Sequence, residues 1–283
     1  MIETGAESPI GLIAGGSQFP LLFVEAAQAR GRRVAVVAHQ GETWPEIERV
    51  ADALCWVKLG QLGKIIKFFH AQGVRETVFA GTITKTRIFH DILPDLKGLS
   101  LWGKIDIRQD DAILRAVAAA LAEEGITVLA STIFLEHLFF PQGLLTRKAP
   151  TEAQMEDIRF GWKIAREIGR LDIGQCVVVR DRTVLAVEAI EGTDATIRRG
   201  GELAGGAGAV VVKVKKPTQD FRFDLPATGT VTIETLAGVR GSVLAVEAGQ
   251  SLLFDREAMI AAADRARLVV VGLREDEQGV LHY

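Results

Sequence analysis

"GLIAGGSQFP", Gly11 to Pro20, is a short apolar strand that runs into paired glycines and then opens a helix. The residues around it repeat that theme. The strand begins at Ile10, and Phe19 to Arg30 keeps helical periodicity and stops at Gly31. Arg33 to Ala38 reads as a second strand and Ala53 to Leu59 as a third. Leu62 to Gln72 reads as an amphipathic helix closed by Gly73, and Glu76 to Gly81 as another strand. Asp110 to Glu124 is an alanine-rich helix ended by Gly125, with the strand Ile126 to Ala130 after it. Such alternation predicts a parallel sheet with helices on both faces.

The pattern breaks after Phe140. "PQGLLTRKAPT" carries two prolines, a glycine and two cations, which predicts a linker over residues 141–150. Thr151 opens a helix, with Gln154 where a capping box wants it, and the helix runs to about Gly169. Strands follow at Gln175 to Arg180, Thr183 to Ile190, Ala209 to Val214, Ser242 to Val246 and Arg267 to Val271. Helices are expected at Asp194 to Leu203, Thr230 to Ala237 and Asp255 to Arg265. The fold class is therefore α/β. A Rossmann-like parallel-sheet domain is expected over residues 1–140, and a second, smaller α/β domain over 151–283.

The 283 residues suit two domains. With 33 basic and 36 acidic residues the net charge is −3, so no global field favours nucleic acid. Cys55 and Cys176 lie in apolar runs and read as core residues in a reducing cytosol. The five histidines show no ligand spacing and no CxxC or HExxH occurs, which argues against a zinc site. No secretory signal is evident, and no apolar run approaches the ~20 residues of a spanning helix. The greasiest stretch, Thr132 to Phe140, is broken by Glu136 and His137. A soluble chain is expected, with contact at a membrane surface left open, as is the oligomeric state.

Four places can carry chemistry. At Gly15, Gly16 and Ser17 a strand end, free backbone N–H groups and a helix N-terminus converge, which suits a phosphate; the alternative is an ordinary tight turn. No G-x-G-x-x-G spacing is present, and the second strand ends at His39 and Gln40 rather than at a ribose-holding acid. Gly81 and Thr82 end another strand and belong at the same carboxyl edge. Lys104 precedes Asp110 and Asp111, whose simplest role is helix capping.

The third place is "VEAIEGTDATIRRGG", Val187 to Gly201. Thr193 or Asp194 can cap a helix, Arg198 and Arg199 complement its dipole, and Gly200 can end it. Glu188 and Glu191 sit at and just beyond a strand end with no obvious structural partner, and the N-terminus of the following helix is again an anion site. The fourth place is "VVVKVKKPTQDFRFDLPATG", Val210 to Gly229. Lys213 and Lys215 fall on one strand face. If the segment continues extended, Asp220, Arg222 and Asp224 share a face too, either as a Mg²⁺-binding carboxylate pair beside phosphate-neutralising lysines or as an internal charge ladder.

Taken together, "GLIAGGSQFP", "VEAIEGTDATIRRGG" and "KVKKPTQDFRFDLPATG" resemble the LpxI family, the UDP-2,3-diacylglucosamine pyrophosphatases of lipid A biosynthesis, over essentially the whole chain. One departure is Ser17, where the family's first motif often has a third glycine. The resemblance implies Mg²⁺-dependent hydrolysis of a lipid-linked nucleotide sugar to UMP and 2,3-diacylglucosamine 1-phosphate, with the substrate enclosed between two domains. On that reading Asp224 and Asp220 are the catalytic metal ligands, with Glu188 and Glu191 as further candidates, and Lys213 and Lys215 neutralise phosphate. Gly15, Gly16, Ser17, Gly81, Thr82, Lys104, Thr193, Asp194 and Arg198 bind substrate, while Leu101, Trp102, Leu138, Phe139 and Phe140 are candidate walls for its acyl chains. A non-catalytic nucleotide-sugar or lipid-binding protein, or a sugar-nucleotide dehydrogenase, is the alternative class.

Overall fold

A computed structural model of the chain describes residues 8–84, 94–102, 110–206, 208–217, 220–222 and 225–283, with side chains outside 100–102 and 110–112. These residues form two compact units. The first takes the chain up to Glu136 together with the described residues 220–222, and the second takes the rest.

In the first unit β1 (Ile10–Ala14), α1 (Phe19–Gln28), β2 (Val34–His39), β3 (Ala53–Val57), α2 (Leu62–Gln72) and β4 (Glu76–Ala80) follow one another. Then come α3 (Leu96–Trp102), α4 (Asp110–Glu123) and β5 (Thr127–Val128). The strands make one sheet in the order β3-β2-β1-β4-β5, every pair parallel. All five residues of β1 are buried, as befits a central strand covered on both faces. On one face Ile65, Ile66 and Phe69 of α2 and Leu121 of α4 pack against Val37 and Phe79. Gly73, left-handed at φ 71°, closes α2 where the sequence placed it. The register pairs Ala14 with both Ala38 and Ala80, so β1, β2 and β4 end level. Strand order reverses between β1 and β4, so a crevice outside their carboxyl ends is the expected place for a ligand.

The second unit runs β6 (Gly143–Leu144), α5 (Glu152–Arg170), β7 (Cys176–Arg180), β8 (Thr183–Val187), α6 (Thr193–Leu203), β9 (Val210–Lys213) and β10 (Ala227–Thr228). It continues with α7 (Thr230–Gly238), β11 (Val243–Glu247), β12 (Leu252–Leu253), α8 (Arg256–Arg265), β13 (Val269–Glu275) and β14 (Leu281–His282). Its main sheet, ordered β14-β13-β11-β9-β7-β8 with β6 also on β13, is mixed. β9, β11 and β13 are parallel, whereas β7 is antiparallel to both β8 and β9. Expected as the smaller domain, it has the larger sheet.

The pleat divides the strand residues between two cores. Val177, Val179, Val210 and Val212 pack with Ile158 and Trp162 of α5. Cys176, Val178 and Val211 face Ile197 of α6 and Leu236 of α7. The capping box is present: Thr151 Oγ1 accepts from the Gln154 N–H at 3.3 Å, and Gln154 Oε1 accepts from the Thr151 N–H at 2.9 Å.

Two expectations are corrected here. Residues 141–150 are woven into the second unit rather than linking freely: β6 pairs with β13, and Thr146 Oγ1 accepts from the Val270 N–H at 3.0 Å. Gly200 does not end its helix, because α6 continues to Leu203. A Cβ on Gly200 would meet Val178 Cβ at 2.5 Å, and one on Gly201 would meet Val239 Cβ at 2.3 Å. The paired glycines let α6 lie close against β7 and the end of α7. Both cysteines are free thiols, Cys176 fully buried and Cys55 partly. Among the described residues no helix is long and apolar enough to cross a membrane.

Candidate functional site

The carboxyl edge of the first sheet is built from backbone. Gly16 and Thr82 form an isolated antiparallel bridge that joins the loops after β1 and β4. The Gly16 N–H donates to Thr82 O at 2.7 Å, the Thr82 N–H to Gly16 O at 3.0 Å, and the Gly15 N–H to Ala80 O at 2.8 Å. The expected pair of free phosphate-binding N–H groups is therefore not what the structure shows, since both are committed to the protein itself. Glycine is needed here for contact: a Cβ on Gly81, whose φ is +91°, would lie 2.3 Å from Gly16 O. Ser17 takes a φ of +83°, a region that favours glycine, and its hydroxyl accepts from the Phe19 N–H at 3.3 Å. That conformation is why glycine suits the position and serine is strained there.

Beside this bridge stands His39, at the end of β2 and 7% exposed. Its Nδ1 lies 2.9 Å from the Ala14 carbonyl, and its N–H donates to Thr43 Oγ1 at 2.9 Å. Thr43 Oγ1 in turn donates to the same carbonyl at 2.7 Å. Burial holds the imidazole pKa below its ordinary value, against the Ala14 carbonyl and Glu42, which both raise it. Glu42 itself accepts from the Thr84 hydroxyl at 3.0 Å.

The second sheet presents an edge built from side chains. The register sets Cys176 opposite Lys213 and Val246 beside it, while the Glu188 N–H donates to Cys176 O at 2.9 Å. Gln175, Glu188 and Lys213 thus collect at one edge, with the start of α6. Lys213 shares the strand face of Val211 and is 3% exposed. Its ammonium donates to the Ala227 carbonyl at 2.6 Å and forms no ion pair among the described residues. A buried ammonium with one neutral partner is a costly arrangement, and two of its three protons are left for a ligand. Lys215 lies beyond the strand end, where its N–H donates to Glu247 Oε2 at 2.8 Å; Glu247 also pairs with Arg166 at 2.7 Å.

Neither Thr193 nor Asp194 caps α6, because Gly192 holds the N-cap position with no side-chain bond. The Thr193 hydroxyl instead donates to Glu188 Oε1 at 2.9 Å, and Glu188 Oε2 accepts from the Gln175 N–H at 3.3 Å. Asp194 Oδ1 is buried with no partner. Glu191, expected to lack a structural role, pairs with Arg199 at 2.5 Å and accepts from the Ala189 N–H at 3.1 Å. Its own N–H and Arg199 hold its carboxyl below the usual value. Arg198 is exposed. Burial, and then Glu188, push the Cys176 thiol up, while Lys213 opposes and Asp194 adds to the rise; the thiol is a neutral packing group beside three charges.

The described part of the Asp220 segment is a turn rather than an extended strand. Asp220 Oδ1 accepts from the Arg222 N–H at 3.0 Å, and the Arg222 guanidinium donates to both carboxylate oxygens, at 2.7 Å from Nη2. Those bonds to Arg222 hold the Asp220 carboxyl well below its usual value, with Arg115 of α4 adding to the effect. Neither extended alternative is seen here: Asp220 and Arg222 form a local pair within a turn, and both carboxylate oxygens are engaged by Arg222. Asp224 and Lys104 lie outside the described residues, as do the side chains of Leu101, Trp102, Asp110 and Asp111. Phe140, a candidate acyl-chain wall, is 1% exposed in the core of the second unit; Leu138 and Phe139 are half-buried. Among the described residues no three His, Cys, Asp or Glu side chains gather to hold a metal ion.

Sequence reasoning missed Gln175, Thr228 and Ser251. Gln175 Oε1, Thr228 Oγ1 and Ser251 Oγ are buried without partners, like Asp194 Oδ1. Thr228 adjoins the carbonyl that holds Lys213, and Ser251 precedes β12, the partner strand of β10. The available signal was a hydroxyl inside "LPATG", directly after the charged segment.

Two family models match the chain, the LpxI N-terminal domain over residues 9–138 and the LpxI C-terminal domain over residues 141–271. A relative from Caulobacter vibrioides, the UDP-2,3-diacylglucosamine pyrophosphatase LpxI, is 37% identical over 279 residues, which is 95% of this chain and 99% of the relative. A solved structure described as "Crystal structure of gox2253" aligns with 69% of this chain and 66% of its own at 11% identity and a TM-score of 0.28, too distant to bear on fold or site.

Proposed function

The chain belongs to the LpxI family, and from that membership we propose that it hydrolyses the pyrophosphate bond of UDP-2,3-diacylglucosamine to UMP and 2,3-diacylglucosamine 1-phosphate. The observation that carries this reading is 37% identity to a pyrophosphatase of that name, spanning nearly all of both chains. The site chemistry supports it. Lys213, buried and short of partners, is suited to a phosphoryl oxygen, where an ammonium in a water-poor setting stabilises developing negative charge. Lys215 adds positive charge at the end of the same strand. Thr193 holds the Glu188 carboxylate in one orientation, so the acids beside the lysine are positioned in advance.

Mg²⁺ fits this donor set. Asp194 Oδ1 is a buried oxygen without a partner and Glu188 is a fixed carboxylate, and Mg²⁺ takes one or two carboxylates together with substrate phosphates. In this reading Glu188 and Asp194 are the carboxylates that would hold the ion, and Asp220, whose two oxygens both pair with Arg222, is not. The metal supplies charge neutralisation and Lewis acidity at the phosphoryl group. Asp224 enters on the family resemblance of its segment. The setting is read as cytoplasmic, with contact at the inner-membrane surface where a doubly acylated substrate resides.

The dehydrogenase alternative has little support, since β2 ends in His39 rather than in an acid and the glycine spacing of dinucleotide sites is absent. The deciding experiment incubates the full chain with UDP-2,3-diacylglucosamine and Mg²⁺, with and without chelator, and measures UMP, with Asp224→Ala as the inactive comparison. Chelator-sensitive UMP release from the wild type supports the reading, and no release under any divalent cation overturns it. UDP-glucosamine without acyl chains should turn over far less efficiently, because each buried methylene contributes ~0.8 kcal/mol.

A further inference from the structure

We propose that His39 reads a ribose hydroxyl of the substrate's nucleotide, accepting a hydrogen bond at Nε2; this rests on the pyrophosphatase reading above. In an open parallel sheet ligands collect outside the carboxyl ends of the strands, at the point where strand order reverses. Here that point lies between β1 and β4, and β2 is the next strand out. The end of the second strand is where dinucleotide-binding folds place an acid that accepts from ribose. β2 ends in His39 instead.

The surroundings of His39 fix its chemistry. A carbonyl can only accept, so the 2.9 Å contact with Ala14 places the ring proton on Nδ1 and leaves Nε2 as a lone-pair acceptor. Thr43 bonds both the His39 N–H and the Ala14 carbonyl, which holds strand end and loop together. Nε2 has no partner among the described residues, and His39 keeps 7% of its surface exposed at the strand end. The other acid of this loop, Glu42, is engaged by Thr84. A neutral acceptor also suits a pyrophosphate substrate better than a carboxylate, which would set like charges close together. The imidazole remains neutral because it is desolvated.

The test measures inhibition of the full-length enzyme by UMP, 2′-deoxy-UMP and 3′-deoxy-UMP, with hydrolysis of UDP-2,3-diacylglucosamine followed in parallel. Wild type should bind UMP about 10-fold more tightly than at least one deoxy analogue. His39→Asn can still donate to Ala14 but offers nothing at the Nε2 position, whereas His39→Gln carries an oxygen near it. His39→Asn should therefore lose UMP affinity by the same factor, treat UMP and the deoxy analogues alike, and raise KM with kcat within about 3-fold. His39→Gln should recover part of the discrimination. A purely structural His39 predicts the reverse, with Asn the better substitute. If wild type binds all three nucleotides equally, or if His39→Asn still discriminates, the proposal is overturned, and the wild-type comparison does so even if no variant folds. Hydrolysis without ribose discrimination sinks this inference alone; discrimination without hydrolysis sinks the pyrophosphatase reading and leaves His39 a nucleotide reader.

Discussion

The two sheets offer edges of opposite construction. At the end of β1 and β4 the first unit brings backbone against backbone, with the Ala80 and Thr82 carbonyls taking the Gly15 and Gly16 N–H groups. At the ends of β8 and β9 the second unit collects Glu188 and Lys213 with unpartnered Asp194, Gln175 and Thr228. One edge has its glycine N–H groups satisfied within itself and offers His39 Nε2 as an acceptor, and the other holds several polar groups that nothing described in the chain completes. A glycine motif after a strand is thus a weaker sign of ligand binding than a lysine on an apolar strand face.

The largest effect that can break this contrast is expected at Lys213. Lys213→Met keeps an unbranched side chain one heavy atom shorter and removes the charge. It should lower kcat for UMP release by about 10²–10³-fold, the range for losing one preorganised electrostatic group. Stability should move the other way or not at all, because replacing a buried, poorly paired charge with an apolar group of similar size is neutral or stabilising. The pair of measurements is kcat and the urea midpoint. A clear loss of stability with kcat intact would make Lys213 a structural residue and remove the distinction between the edges.

The first edge should fail in the opposite sense. Gly81→Ala places a Cβ 2.3 Å from Gly16 O at a φ of +91°, so both clash and backbone strain act. A destabilisation of about 3 kcal/mol is expected, read as a lower urea midpoint at unchanged m-value. The folded fraction should keep kcat within a few-fold. A stable Gly81→Ala protein with kcat abolished would show that this backbone bridge takes part in the reaction.

These two residues also mark what the sequence could disclose. Strand and helix positions were legible almost throughout, because apolar runs ending in glycine reflect burial on both sheet faces and left-handed helix ends. β1, α2 and the capping box of α5 appear where the sequence places them. The two-residue strands β6, β10, β12 and β14 were not legible, since so short a segment has no period to detect. In the site, residue types were visible but partners were not. Gly15 and Gly16 read as phosphate donors because sequence cannot show that Ala80 and Thr82 take their N–H groups. Glu191 looked free because Arg199 reaches it only once α6 is folded, and Asp220 looked like a ligand because the turn that pairs it with Arg222 resembles a strand in alternation.

Glu191 sharpens the comparison at intermediate size. Its neighbour Glu188 is buried in the polar cluster, while Glu191 ties the start of α6 to Arg199 at the surface. The folded-state pKa of Glu191 lies below the ordinary 4.5. Its contribution to stability is therefore complete above that value and is lost as pH falls through the folded pKa. Between those two values wild type should lose stability with acid more steeply than Glu191→Gln, and near neutral pH the variant should be modestly less stable, as expected for an exposed pair. Urea midpoints across the acid range decide it. Parallel pH profiles for the two proteins would mean that the Arg199 pair does not contribute, and kcat at neutral pH should be unchanged in either case.

The smallest effect is expected at Ser17, within the backbone-built edge. A serine at φ +83° pays roughly 1 kcal/mol of strain that glycine avoids. Ser17→Gly also removes the hydroxyl that accepts from the Phe19 N–H, but that contact is long at 3.3 Å, and exchanging a capping hydroxyl for glycine costs only a few tenths of a kcal/mol. Glycine further gains freedom in the unfolded chain, which opposes the relief. The three terms leave a net stabilisation of about 0.5 kcal/mol, a small rise in urea midpoint, with KM unchanged. Because the Gly15 and Gly16 N–H groups are already committed, a large change in KM on substituting Ser17 would show that this turn, and not His39 beside it alone, touches the substrate.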